Sequence, residues 1–413
     1  MSDTQDDPAP SVRPKSPAGP LAGLRVLDFG HTVMGPTTGL VLADLGAEVI
    51  RIEPAPAGDP TRRLKGFGTG YFPFYNRNKQ SLAVDLKSDA GREIVERLLA
   101  TADVMLENFG PGTIARLGLD YDSVAARHPH IVYLSLKGYL PGPYEQRAAL
   151  DEIVQMQSGL AYMTGPPGQP LRAGASVTDV MGGMFGVIGV LAALRDRDAT
   201  GKGSLVRSAL FESAVFLMGQ HLAYAALADH PVPPMPARVS AWAIYDLFTL
   251  ADDTQFFLGI TSDKHWRAFC DAFARPDLLA DESLSTNNRR IEAKPRLKPL
   301  IADILAQHDL PEAARLCEAA RLPFAPVARP EDLFDDPHLR AGGRLLETAL
   351  PGGVQAGLPG LPLEIGAFRP GLRNPPPGLG QDSRGLLAAL GYDTAAVACL
   401  EEAGIIACAP APE

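Results

Sequence analysis

In the amino-terminal part of the chain, short apolar runs alternate with stretches in which apolar residues recur every three or four positions. Leu24–Phe29 is a strand-like run, Thr37–Leu45 a helical stretch, and Val49–Ile52 a second run that stops at Glu53, together a βαβ unit. Ser81–Asp85 predicts another strand, and Gly91–Ala100 a helix with Ile94, Val95, Leu98 and Leu99 on one face. Val104–Leu106, a helix over Tyr121–Arg127 and a strand over Ile131–Leu136 continue the alternation. Strands and helices at this spacing predict a mostly parallel sheet covered on both faces.

Two later segments are also helical in pattern. In Leu150–Tyr162, Leu150, Ile153, Val154 and Gln157 share one side, so Asp151 and Glu152 point in different directions. Ser176–Leu194 is the longest apolar run, but it carries Asp179 and the glycines Gly182, Gly183, Gly186 and Gly189. A membrane span needs about 20 apolar residues and rarely holds such an acid. A buried helix whose small residues admit a close neighbour is therefore expected. From about Pro231 to Ala341 the pattern changes to amphipathic helices such as DKHWRAFCDAF and PEAARLCEAA, which predicts a second, smaller domain. Residues 351–380 are rich in Pro and Gly and suit a long connection. Residues 1–20, with five prolines and no apolar core, read as a disordered tail rather than a signal peptide.

A length of 413 residues implies about two domains. The 46% apolar content and a mean hydropathy of zero indicate a soluble globular protein. A formal charge of −10 argues against nucleic acid as a partner, so an anionic ligand must be held by a local basic cluster. Cys270, Cys317, Cys399 and Cys408 have no metal-binding spacing and suit thiols in a reducing, cytoplasmic compartment.

Chemistry concentrates where the fourth strand ends, in ENFGPG. Ligands bind in the crevice at the carboxyl ends of such sheets. Asn108 offers an amide there, Phe109 an aromatic face, and Gly110 and Gly112 a close approach to the backbone. A dinucleotide is disfavoured even though Glu53 lies about where a ribose-binding acid belongs. Gly30, Gly35 and Gly39 are too widely spaced for GxGxxG.

LDFGHTVMGP, DLGAEVIRIEP, GDPTR, NRNKQSLAVDLK, ENFGPG, LKGY, TGKG and LGQDSRGLLAALGY, in this order over about residues 21–405, resemble the family III coenzyme A transferases of the CaiB/BaiF type. That family includes formyl-CoA, carnitine-CoA and succinyl-CoA-dependent transferases and the related α-methylacyl-CoA racemases. The resemblance implies an α/β fold: a large Rossmann-like domain from residues 21–215 and 342–413, and a small α+β domain over 231–341. It also implies an interlocked homodimer with no membrane partner. Coenzyme A would arrive as an acyl-CoA substrate, not as a permanently bound cofactor, and no metal is implied. The matching residues that would line it are His31, Val33, Met34, Val84 to Lys87, Asn108, Phe109, Gly110, Arg116 and Lys137 with Gly138, Tyr139 and Leu140. Where formyl-CoA transferases carry an arginine after the second strand this chain has Pro54, leaving Arg51, Arg62 or Arg63 as substitutes.

Transfer requires a carboxylate that attacks the thioester. Family members place it in T-G-x-x-D-G-P, but this chain reads MTGPPGQP over Met163–Pro170, with no carboxylate. Asp151 is the expected nucleophile, with Glu152 and Asp179 as further candidates. Two alternatives stay open. One is a racemase using Asp179 with His128 or His130, and the other a non-catalytic acyl-CoA binder. Arg147 and Arg172 flank the segment and suit the distal carboxylate of a dicarboxylic acid.

Overall fold

The computed structural model describes residues 19–237 and 241–409, so most of the expected tail lies outside the described residues. Six parallel strands form the main sheet: β1 (Arg25–Asp28), β2 (Glu48–Pro54), β3 (Lys79–Val84), β4 (Val104–Glu107), β5 (Val132–Lys137) and β6 (Leu205–Ala209). A short strand, Ile406–Ala407, closes one edge antiparallel to β3, giving the order (406–407)-β3-β2-β1-β4-β5-β6. The chain builds outward from β1 on one side, then returns to build outward on the other. Between β1 and β4 the order therefore reverses, and a crevice opens at their carboxyl ends.

The central strands carry almost continuous apolar sequence because both faces are covered. Leu27 pairs with Ile50 and Met105, all fully buried. The helix Asp89–Leu99 packs one face through Ile94, Val95, Leu98 and Leu99. The helix Val177–Thr200 packs the other. Its glycines set the packing distance: a Cβ on Gly189 would lie 2.5 Å from Val206, and one on Gly186 would lie 3.0 Å from Leu134 and Leu136. The expected burial holds for this face only, since Met184, Ile188 and Leu191 on the other side are exposed. By length and composition this helix is apolar enough to cross a membrane.

Contacts divide the chain into two units. One ends at Pro236 and resumes at Gly342; the other is Ala237–Ala341. The smaller unit is α+β, with strands Ile244–Thr249, Gln255–Ile260 and Phe324–Pro326 in an antiparallel sheet. Trp266, Phe269, Cys270, Leu297, Ile301 and Cys317 form its core.

Polar residues are buried where β1 ends, midway along β2 and at the first residue of β3. Lys79 Nζ donates to Asp28 Oδ2 at 2.8 Å and to the Pro36 carbonyl at 3.0 Å. Arg51 is 1% exposed, donates to the Gly30 carbonyl at 2.8 Å and pairs with Asp59. Burial pushes the Lys79 ammonium down to about 8 against the pull of Asp28. The NRNK segment shares this role. Arg77 and Asn78 both bond Asp44, and Asn78 also holds Gly371, Arg373 and Asn374 of the returning connection. A buried pair of this kind is costly to desolvate, and removing one partner costs about 3–5 kcal/mol.

Gly39 faces the pair. An added methyl would lie 2.3 Å from Asp28 Oδ2 and 2.8 Å from Lys79 Nζ. Alanine is favoured over glycine in a helix by about 1 kcal/mol. Even so, Gly39→Ala is expected to lower the unfolding free energy by about 1–3 kcal/mol in urea titration. Wild-type stability would mean that the ion pair yields without cost.

Candidate active site at the strand carboxyl ends

The crevice between β1 and β4 is bridged by one side chain. The His31 N–H donates to Asn108 Oδ1 at 2.7 Å, and Asn108 Nδ2 donates to the His31 carbonyl at 2.9 Å. Asn108 follows the end of β4, and its amide is spent joining the two loops. Glu107, 1% exposed, accepts from Ser135 Oγ, Lys137 Nζ and the Phe109 N–H, and Lys137 Nζ also donates to the Phe109 carbonyl. Lys137 therefore shapes the turn that presents Phe109, whose ring lies 5.6 Å from that of His31. Burial lowers the His31 imidazole below its ordinary value, opposed by the nearby Asp59 carboxylate and reinforced by Arg51.

The remaining expected contacts divide by exposure. Val33, Met34 and Val84 are core residues, so they offer the crevice backbone rather than side chains. Lys87, Gly110 and Arg116 are exposed, and Arg116 bonds only its own turn, through Thr113 Oγ1. Of the three arginines near Pro54, Arg51 is buried and Arg62 grips Glu53 while lying 3.6 Å over the Phe72 ring. Arg63 is the exposed one, bonded to the Ala57 carbonyl. Gly138 has no room for a Cβ, which would meet Ala149 at 2.3 Å. Tyr139 is buried among Tyr144 and Phe211, its hydroxyl bonded to Gln157. A cavity of about 270 Å³ lies at the ends of β4, β5 and β6, lined by Lys137, Tyr139 and also Arg207. Sequence reasoning missed Arg207 because β6 is a short edge strand with weak apolar patterning.

The carboxylates expected to do chemistry have different surroundings. The predicted helix over Leu150–Tyr162 is two helices, Asp151–Gln157 and Leu160–Thr164, broken at Gly159 with φ +86. Its polar side turns inward: Asp151, Val154 and Gln155 are buried while Leu150, Ile153 and Met156 are exposed. Asp151 Oδ2 accepts from the Thr178 N–H at 2.8 Å, Thr178 Oγ1 at 2.6 Å and the Asp179 N–H at 3.2 Å, and Oδ1 accepts from Gln155. Ser176 makes no capping bond, so Asp151 caps the helix Val177–Thr200 from a different segment. Glu152 is exposed and paired with Arg172, while Arg147 lies 4.0 Å over the Tyr144 ring.

Asp179 is half-buried, and no bond to its carboxylate is recorded among the described residues. Burial and then the neighbouring Asp151 charge push it up to about 7. Tyr75 is pushed up to about 12 by burial and then by the charge of Asp179. One helical turn after Asp179, Gly182 and Gly183 abut Met34 and Thr37, which places the carboxylate beside the start of the helix that follows the His31 turn. His128 and His130 are not brought to it. They precede β5, bonded to Glu96 and the Ala102 carbonyl, at the opposite end of a six-residue strand about 20 Å long.

The unfolded chain ionises Asp179 near 3.8, whereas the folded chain keeps the proton to about 7. Between these values the folded state binds more protons, so this group's contribution to stability is present below about pH 4 and is lost as the pH rises through 7. Asp179→Asn should therefore melt above wild type at about pH 8, with the advantage vanishing toward about pH 4. Thermal melts across buffers check this, and parallel curves would mean a well-solvated carboxylate.

The chain is similar to known proteins over nearly its whole length. The sequence pattern of CoA-transferase family III matches residues 21–383. A succinyl-CoA:glutarate CoA-transferase of Mus musculus is 32% identical over 394 residues, 94% of this chain and 90% of that one. An acetyl-CoA:oxalate CoA-transferase of Acetobacter aceti is 33% identical over 362 residues, 86% of this chain and 91% of that one. The crystal structure of a CAIB/BAIF family protein from Brucella suis superposes with a TM-score of 0.80 at 30% identity, covering 90% of this chain and 100% of that one. With the family pattern over residues 21–383 and relatives of this identity and coverage, the chain belongs to CoA-transferase family III.

Proposed function

We propose that this protein moves coenzyme A from an acyl-CoA thioester to a small free carboxylic acid. The observation that carries the reading is the family match over residues 21–383, which includes every segment around the β1–β4 crevice. Exposed Lys87, Arg116 and Arg63 supply cations for the phosphates of the coenzyme. The first turn of the helix Met34–Asp44 adds unpaired backbone N–H groups. His31 and Phe109 form an aromatic wall, and Gly110 lets the ligand approach the backbone. With its imidazole held neutral, His31 acts as that wall and not as an acid.

The named substrates of the two relatives include succinyl, glutarate and oxalate groups, all dicarboxylic. A dicarboxylic acid is accordingly the proposed acceptor. Arg147, exposed on Tyr144, is better suited to its distal carboxylate than Arg172, which Glu152 occupies. Free thiols at all four cysteines suit a cytoplasmic setting. The raised Asp179 also keeps α-proton abstraction in view, and one assay separates the readings. With succinyl-CoA and labelled glutarate or oxalate in deuterated water, label is expected to enter the thioester. Deuterium at the α-carbon without label transfer would mean racemisation, and neither outcome would leave a binder.

A homodimer with interlocked chains is the proposed assembly. Support comes from an exposed apolar face that joins Met184, Ile188 and Leu191 to Phe216, which is 71% exposed and lies 5.3 Å from Phe185. Light scattering after gel filtration should give twice the chain mass, and Ile188→Asp with Phe216→Asp should shift it toward the monomer. A wild-type monomer would end this proposal.

A further inference from the structure

Resting on the transferase reading, we infer that Lys79 is a positioning residue for acyl-CoA binding, its charged ammonium holding the turn over residues 30–36 in the shape that the coenzyme meets. Several segments converge on this one side chain. Lys79 Nζ donates to Asp28 Oδ2 at 2.8 Å, to the Pro36 carbonyl at 3.0 Å and to Asn76 Oδ1 at 3.1 Å. Asp28 accepts the Gly30 N–H at 2.8 Å through its other oxygen, so the lysine is tied to the start of the turn as well as to its end. Asn76 donates to the Phe72 carbonyl at 2.9 Å and thereby brings in the helix Tyr71–Tyr75.

The turn needs that support. Thr32 has φ +63, in the left-handed region that a β-branched residue rarely adopts, and such a conformation persists only where its surroundings over-determine it. Around it, Asn108 holds the His31 backbone, Arg51 the Gly30 carbonyl and Lys79 the Pro36 carbonyl. The groups fixed in this way are the His31 ring and the first turn of the helix Met34–Asp44, both proposed above to face the coenzyme.

The hold depends on charge. An ammonium has three N–H donors, and Lys79 uses all of them. A neutral amine keeps two donors and gains a lone pair, so loss of the proton leaves one acceptor facing that lone pair. Asp28 from β1 faces the ammonium directly, while Arg51 from β2 lies 3.7 Å from Asp28 and pairs with Asp59 of the following loop. The helix Met34–Asp44 presents a carbonyl and Gly39, its Asp44 carboxylate being taken by Arg77 and Asn78. Burial, opposed by Asp28, holds the lysine at about 8, so its charge changes within an accessible range.

The probe is the methyl thioether of coenzyme A, which keeps the phosphates and the pantetheine arm but has no thiol to titrate. Its dissociation constant for the full-length protein is measured by calorimetry at fixed ionic strength from about pH 7 to about pH 9, where His31 stays neutral. If only the charged lysine supports binding, the constant rises about tenfold across this range. A rise of at least about fivefold is expected, with its break near the Lys79 value of about 8 and not the Asp179 value of about 7, and a smaller rise or a break at the lower value would overturn the inference.

Lys79→Met keeps the length of the side chain and removes its charge. With its circular dichroism intact, it should bind the thioether at least about fivefold more weakly than wild type at about pH 7 and lose the break near pH 8. Wild-type binding by the folded variant, or a break that persists in it, would overturn the inference; where the variant does not fold, the wild-type profile decides. Label exchange from succinyl-CoA to glutarate is assayed on the same wild-type preparation. Exchange with a flat binding profile would remove the role of Lys79 and leave the transferase reading standing, whereas no exchange and no binding at any pH would remove both.

Discussion

Everything at the crevice depends on a buried set of charges beneath it. Asp28 ends β1, Arg51 lies within β2, Lys79 opens β3 and Asp59 is in the loop after β2, and all are nearly inaccessible. Parallel strands end with their carbonyls and side chains converging on one edge, where backbone groups need partners that the sheet no longer provides. Asp28 holds the Gly30 N–H, Arg51 the Gly30 carbonyl and Lys79 the Pro36 carbonyl, so the turn that carries His31 is held at both ends by charge. Such a cluster is costly to desolvate and is favourable only with its bonds complete. The Arg51 Nε atom has no partner among the described residues, a local cost that the remaining bonds offset.

Above that base, the polar residues of the site mostly serve one another. Asn108 joins two loops, Lys137 and Ser135 satisfy Glu107, and Asp151 satisfies a helix terminus. This commitment is what makes the crevice rigid, because a side chain with its bonds made has little freedom to adjust to a ligand. The cost is visible at Asp179, where burial and a like charge hold a proton well above the usual carboxylate range.

How much of this was legible differs from element to element. The strands from Val26 to Leu136 were, because a buried parallel strand is a short apolar run between turns. β6 was not, since Leu205–Ala209 lies at an edge and carries Arg207 and Ser208. The helix over Leu150–Tyr162 was overextended because Gly159 breaks it with a positive φ, while the expected divergence of Asp151, buried, and Glu152, exposed, is present. The motif NRNK was legible as a family resemblance, but not its role: its side chains are buried and bonded to Asp44, Asp28 and the segment near Asn374.

By itself the sequence determined the order of most strands and helices, the resemblance to a coenzyme A transferase, and the absence of a carboxylate from the loop Gly165–Pro170. These are properties of composition and of near neighbours, which periodicity and motif order express directly. Only the tertiary structure decided which polar groups are already spent. Asp151 and Thr178 are 27 residues apart and Asn108 and His31 are 77 apart. No local pattern encodes such pairs; they follow from how helices and strand ends converge once the sheet is built, and that convergence occupies Asp151 while no donor to the Asp179 carboxylate is found among the described residues.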